Sequence, residues 1–326
     1  MKQYILRRII ISFIVLIGVS ILLYTLVRLM PADYVSLSTS TSSRITDEQR
    51  DHLRSIYGLD KGIVEGYIDW VTSALQGDLG VSLTRNRPVS EIIGEYAPIT
   101  FSISFIALIF ELLIAIPVGI LAARKPYSKV DYLVTTLVFI GISLPIFFIA
   151  AIFKRVFGFY GLNILPTSGM LTARVIYPDH MTLAKFIDYA KHLVLPITCF
   201  VVTGVGSYVR YVRSNMLEAL SSDYVRTARA KGVSEHRVVY SHAFRNTLIP
   251  IVTLLGGSLP SLFSGAAVTE GIFAIEGLGN IALSASHFAD VPYLMGFNIF
   301  LALLTIIGYL LTDILYAVVD PRVRLS

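Results

Sequence analysis

The sequence predicts an all-α polytopic membrane protein with six transmembrane helices and a small helical outer segment between the first two. Three observations predict it. Of the 326 residues, 55% are apolar and only 15% charged, with a mean hydropathy of +0.70, whereas soluble domains carry about 25% charged residues. The apolar residues gather into six runs. Fifteen of the 27 Lys and Arg residues fall on the segments that would lie on one side of the membrane.

A spanning helix needs about 20 mostly apolar residues. Six runs meet this, at roughly 9–30, 98–123, 132–156, 192–213, 246–268 and 293–318. The first follows Lys2, Arg7 and Arg8, as in a signal peptide. Its apolar stretch is too long for one and no small-residue cleavage site follows, so it reads as a retained anchor. Pro117 and Pro145 are expected to kink the second and third spans, since proline removes a helical hydrogen bond. The lone cysteine, Cys199, lies in an apolar run and rules out a disulfide framework.

Orientation follows from charge. With the N-terminus inside, the inner segments hold fifteen of the 27 Lys and Arg residues, including Arg124, Lys125, Lys129, Arg210, Arg213, Arg322 and Arg324. The outer connection 269–292 holds none. Short-loop Lys/Arg bias sets topology, so both ends are expected in the cytoplasm. The net charge of +5 is then a product of topology. It does not point to nucleic acid, because no basic face is paired with aromatic platforms.

Three outer segments are too long for turns. In 31–97, Thr46 and Gln49 spell a capping box opening a helix that stops near Gly58. Val64, Tyr67, Ile68, Val71 and Leu75 share one face of a second helix ending near Gly77. This cap reads equally as a lid on the spans and as a docking surface for an external partner. The second segment is 157–191. The third, 269–292, contains 270-EGIFAIEGLGN-280 and has the glycines to dip back towards the mouth of a pathway.

The inner connection 222-SDYVRTARAKGVSEHRVVYSHAFRNTLIP-250 is the most charged part of an oily chain. Asp223 is placed to cap a short helix, Tyr224 to Lys231, that Gly232 stops in a left-handed conformation. Ser234 then caps a second helix carrying Val238, Val239 and His242 towards span five. Val225 and Ala228, with Tyr224, form a small apolar strip ringed by Arg226, Arg229 and Lys231. Such a strip suits insertion into a groove on another protein. A helix lying on anionic lipid is the competing reading.

At these residues the sequence resembles the permease subunits of binding-protein-dependent ABC importers. The variant 224-YVRTARAKG-232 followed by 242-HAFRNTLIP-250 is similar to the peptide and nickel branch. Where the wider superfamily carries Glu-Ala-Ala, this chain has Arg226, Thr227 and Ala228. The likeness continues through 58-GLD-60, 77-GDLGVS-82, 119-GILAAR-124, 141-GISLPIFFIA-150, 165-LPTSG-169, 268-VTEGIF-273, 277-GLG-279 and 313-DILYAVVDPRVR-324. It is similar to the first of the two permease subunits, the one with the large outer segment. It departs at 31-PADY-34, Glu276 and Tyr309, where the family commonly has Pro-Gly-Asp-Pro, Pro and Asn.

The resemblance implies the type I importer permease fold. It implies residues 1–30 as N-terminus and first span, 31–97 as the extracytoplasmic segment, and 98–326 as the permease core with a coupling loop at 214–245. It implies a non-catalytic subunit in a bacterial or archaeal cytoplasmic membrane. The partners would be a second permease, two cytoplasmic ATP-binding subunits and an extracytoplasmic solute-binding protein. No cofactor is expected in this chain, since ATP-Mg would sit on the partners. Asp223, Tyr224, Arg226, Ala228, Arg229, Lys231 and Gly232 would meet the ATPase. The cargo would be an oligopeptide or dipeptide, with nickel chelate, glutathione or opine as alternatives.

The residues agree with a subunit without its own chemistry. There is no G-x-x-x-x-G-K-[ST], H-E-x-x-H or G-x-S-x-G, and the histidines show no metal spacing. An ion-coupled secondary transporter would need coupling carboxylates repeated in two halves. An intramembrane enzyme would need clustered His, Asp or Ser at one depth. Glu111 is the one acidic residue deep in a span. It reads either as a pathway residue or as a structural hydrogen-bonding group. Glu270, His287 and Asp290 stand at the outer mouth, where cargo, binding protein or solvent would meet them.

Overall fold

Every peptide group that enters hydrocarbon must find its partner within the chain, which leaves helix as the solution here. The computed structural model describes residues 2–39, 46–158, 161–264 and 267–319. In order, the helices are α1 (Lys2–Arg28), α2 (Tyr34–Thr39), α3 (Asp47–Ile56), α4 (Ile63–Leu75), α5 (Val89–Arg124), α6 (Lys129–Ser143), α7 (Ile146–Phe157), α8 (Leu183–Ser221), α9 (Asp223–Ala230) and α10 (Glu235–Arg237). A π-helical segment (Val238–Phe244) leads into α11 (Arg245–Gly257), followed by α12 (Leu259–Ser264), α13 (Ala267–Ile272), α14 (Leu278–His287) and α15 (Val291–Val319). Arg322 and Arg324, part of the topology argument, lie outside the described residues.

Among the described residues, four helices are long and apolar enough to cross a membrane unbroken, and two bent pairs bring the number to 6. One bend falls at Pro145, where a kink is expected, and the other lies in the fifth span. The third span turns by 94° between α6 and α7. Leu144 is held extended ahead of Pro145, which caps α7 rather than continuing α6. Pro117, by contrast, lies inside α5 without ending it, as do Pro98 in α5 and Pro196 in α8. The fifth span starts in π geometry and bends by 41° between α11 and α12. The outer connection 269–292 is largely helical, in α13 and α14, rather than an open loop.

The principal helix pair is α5 with α8, and glycine sets how close they come. A Cβ on Gly119 would stand 2.8 Å from Val212 Cβ. Small residues are what let helices approach in lipid, where the hydrophobic effect does not drive them together. Much of the apolar surface is outward: Ile14, Leu22, Leu113 and Leu137 are all exposed, as lipid-facing residues are.

The outer segment folds as the sequence predicts. Thr46 and Gln49 form the capping box, and Gly58 and Gly77 both have positive φ. It is tied to α1: Ser20 Oγ and Tyr67 OH lie 2.8 Å apart, Tyr24 and Tyr67 rings meet edge-on, and Arg28 donates to Leu59 O and Lys61 O. Tyr67 therefore turns inward, while Val64, Ile68 and Leu75 of the same helix remain exposed. A second tie is Asp290. Its carboxylate is fully buried and accepts from Ser82 Oγ at 2.6 Å, Thr84 N at 2.9 Å, Thr84 Oγ1 at 2.7 Å and Tyr293 N at 3.3 Å.

Two outcomes follow. Gly119→Val overpacks the α5–α8 seam, a change that costs about 1–3 kcal/mol; detergent-solubilised protein should unfold at lower temperature than wild type, with Gly119→Ala intermediate. Asp290→Ala strands buried donors at about 1–3 kcal/mol each. Limited proteolysis should then cut the 78–90 stretch faster, while the α5–α8 seam keeps its stability.

Candidate functional site: the basic hairpin

The hairpin between α8 and α11 is built by local rules. Ser222, not Asp223, is the N-cap of α9, and its Oγ donates to Ala219 O, closing α8. The cap expected one residue later is thus corrected. Asp223 is the first helical residue, where a negative charge complements the helix dipole. The far end closes with two reciprocal bonds, Val233 N to Ala228 O at 3.2 Å and Gly232 N to Arg229 O at 3.0 Å. This is the Schellman arrangement, and Gly232 supplies its left-handed residue at φ +76°. Ser234 precedes α10 as predicted, but its side chain makes no capping bond.

The apolar strip does not face outward. Val225 and Ala228 are buried with Val212, Met216, Val238, Val239 and Ala243, in a cluster joining α9 to α8 and the π segment. Ala228, expected at a partner contact, is covered here by the chain's own apolar residues. What remains outside is Asp223, Tyr224, Arg226, Thr227, Arg229, Ala230 and Lys231. Arg229 is occupied within the hairpin, donating to both oxygens of Glu235 at 3.1 and 2.8 Å. That bond holds its guanidinium above its ordinary pKa. Arg226 lies 3.5 Å from the highly exposed Asp223. Lys231 forms no ion pair among the described residues. Helix α9 and its C-cap therefore offer two cations, Arg226 and Lys231, beside Tyr224, on a body braced from behind.

The four expected pathway groups are not together. Glu111 is buried in α5, its carboxylate lying on Gly204 of α8 with Tyr208 nearby, and it accepts no hydrogen bond among the described residues. Glu270 is buried at the other end of α5. It accepts from Thr100 Oγ1 at 2.9 Å and Asn280 N at 2.7 Å, which ties α13 and α14 to α5. Asp290 is spent on the outer segment, as described. Only His287, at the end of α14, is exposed. Glu270 and Asp290 thus serve packing, because a buried carboxylate is retained where donors converge on it. Sequence reading missed those donors, Ser82, Thr84 and Thr100, since each lies far along the chain from its acceptor. It also missed the ion pair of Asp131 with Arg213; Ser128 three residues before Asp131 signals only the start of α6, and Arg213 lies far along the chain.

Comparison with known proteins places this architecture. Residues 115–325 match the family model described as binding-protein-dependent transport system inner membrane component, and residues 1–104 match its N-terminal companion. The oligopeptide transport system permease protein AppB of Bacillus subtilis is 36% identical over 99% of this chain and 100% of its own length. The dipeptide transport system permease protein DppB of Escherichia coli K12 is 34% identical over 99% of each chain. Among solved structures, the inward-facing MetNI methionine ABC transporter aligns with 71% of this chain and 97% of its own, at a TM-score of 0.53 and 17% identity, a likeness of fold. The chain belongs to the family of binding-protein-dependent transport system inner membrane components.

Proposed function

We propose that the chain is the first permease subunit of an ATP-driven importer of oligopeptides or dipeptides in a bacterial or archaeal cytoplasmic membrane. Both termini and the basic hairpin face the cytoplasm. Its partners are a second permease, two ATP-binding subunits that carry ATP-Mg and hydrolyse it, and an external solute-binding protein. The cargo class is supported by the names of its full-length relatives, and the orientation by the Lys/Arg bias.

The observation that carries the reading is the braced hairpin. A helix that receives force must not slide over its own support. The back of α9 is welded to α8 through Val225, Ala228 and Met216, and its end is fixed by the Schellman bonds. Force applied to Tyr224, Arg226 and Lys231 then passes into α8, a helix of 39 residues that reaches the opposite face. The same cluster includes Ile251 of α11, so the fifth span receives the motion too. Alternating access is a shift between two packings, driven by contacts that differ between nucleotide states. The exposed α4 face, Val64, Ile68 and Leu75, is the surface offered to the solute-binding protein.

Two variants test the reading. A Cβ on Gly232 would meet open space, so Gly232→Val is harmed only by its left-handed backbone, at about 1–2 kcal/mol. In reconstituted complexes the variant should hydrolyse ATP while uptake per ATP falls about tenfold, the factor that ~1.4 kcal/mol represents; normal uptake would contradict the lever. Arg226→Glu with Lys231→Glu reverses the two cations that α9 and its C-cap present. The ATP-binding subunits should then no longer co-purify, whereas the second permease should.

A further inference from the structure

The turn between α5 and α6 carries a residue that backbone chemistry disfavours. Ser128 N donates to Lys125 O at 3.2 Å, closing the four residues Lys125, Pro126, Tyr127 and Ser128. Proline in second place presets such a turn, and the third place of its type II form requires positive φ, where glycine or asparagine belongs. Here it is Tyr127, at φ +61°. Its side chain packs against nothing that would explain it, being 80% exposed. Bulky residues in this region are outliers, and they persist only where the surroundings dictate them.

The surroundings do dictate it. Tyr127 N donates to Asp131 Oδ2 at 2.9 Å. The same carboxylate, 3% exposed, receives Arg213 of α8 through two parallel bonds, Nε to Oδ1 at 2.6 Å and Nη2 to Oδ2 at 2.7 Å. Ser128 Oγ accepts from Asp131 N at 3.3 Å. A bidentate guanidinium–carboxylate pair fixes orientation as well as distance. An ion pair whose carboxylate is buried thus holds the backbone of an exposed tyrosine against its own preference. Folding alone gains nothing from this, because glycine at 127 would make the same turn without strain.

The turn stands beside the hairpin. Arg213 lies in the last turns of α8 before α9. Arg124, at the end of α5, interacts electrostatically with Glu235, the carboxylate that also holds Arg229. Arg124, Lys125 and Lys129 are exposed and place positive charge on both sides of Tyr127 in the sequence. Tyrosine is an economical interface anchor, with large area and few rotatable bonds.

We propose that this turn is a second contact for the ATP-binding subunit, with Tyr127 as the aromatic anchor and Asp131 and Arg213 as positioning residues. The inference rests on the reading of the hairpin as the ATPase-facing surface. It commits to a partner whose surface is acidic around an apolar slot. Lipid headgroups also attract tyrosine, but an interfacial ring needs no fixed backbone, and this one is fixed.

The test uses the whole importer, with its partners, in proteoliposomes. Tyr127→Gly should leave the permeases assembled and at least as heat-stable as wild type, while cargo carried per ATP falls about tenfold. Tyr127→Phe should keep function, and Arg213→Gln should reproduce the loss. A benzoylphenylalanine photoprobe at 127 should crosslink to the ATP-binding subunit. Wild-type transport by Tyr127→Gly, or a probe that labels only lipid, overturns the inference. If the Arg226 and Lys231 reversal sheds the ATP-binding subunits while Tyr127→Gly transports normally, only this inference fails. If neither change disturbs the ATP-binding subunits, the hairpin reading fails with it.

Discussion

The burial of two small side chains governs the basic end of the molecule. Val225 and Ala228 are the only apolar handles on the inner face of α9, and both are spent on α8 and the π segment. Burying a methyl-bearing side chain stabilises by roughly 0.8 kcal/mol per CH2, so the seam is modest in energy. It is rigid because it is closed at both ends, by Ser222 against α8 and by the Schellman bonds at Gly232. Everything polar on α9 is thereby pushed to the other face, where a partner can reach it. A strip left open would have given a sticky helix; a strip turned inward gives a strut.

The opposite end is held by different chemistry. Buried carboxylates, Asp290 and Glu270, gather hydroxyl and backbone donors from segments distant in sequence. Each stapled segment has its own irregularity close by: the 78–90 stretch before α5, and the α13–α14 pair after the bend at Ser258. Rigid rods, α5 and α8, therefore run between two fastened ends. The breaks at Pro145 and Ser258 and the π turns after α10 are confined to neighbouring spans. Bistable motion needs such a division, since packed seams switch between arrangements rather than stretch. π-helical turns often accompany functional sites, and this one joins the strut to the fifth span.

The sequence made much of this legible, for physical reasons. Span length, cap residues and glycine stops are local, so α3, α4, α9 and the positive φ at Gly232 could be read directly. The direction in which a short apolar strip faces is not local. Val225 and Ala228 fit a partner's groove and an internal seam equally well, and only the positions of Met216 and Val239 decide. For the same reason Glu270 and Asp290 read as mouth residues, their donors lying far away along the chain. Pro117 and Pro145 look alike in sequence. Pro117 continues within α5, whereas Leu144 and Pro145 both adopt extended geometry and divide the span. Tyr127 was hidden because a tyrosine is not expected in third place of a proline turn.

The claim that α9 moves as one body with the end of α8 is open to direct measurement. Spin labels at Thr227 on α9 and Arg210 on α8, both exposed, report that distance by pulsed electron resonance in the assembled importer. The account predicts the same narrow distribution without nucleotide and in the ATP-trapped state, while a label pair from Thr227 to the outer segment shifts. A Thr227–Arg210 distribution that moves or broadens between the two states would mean that α9 slides on its support, and the strut would be wrong.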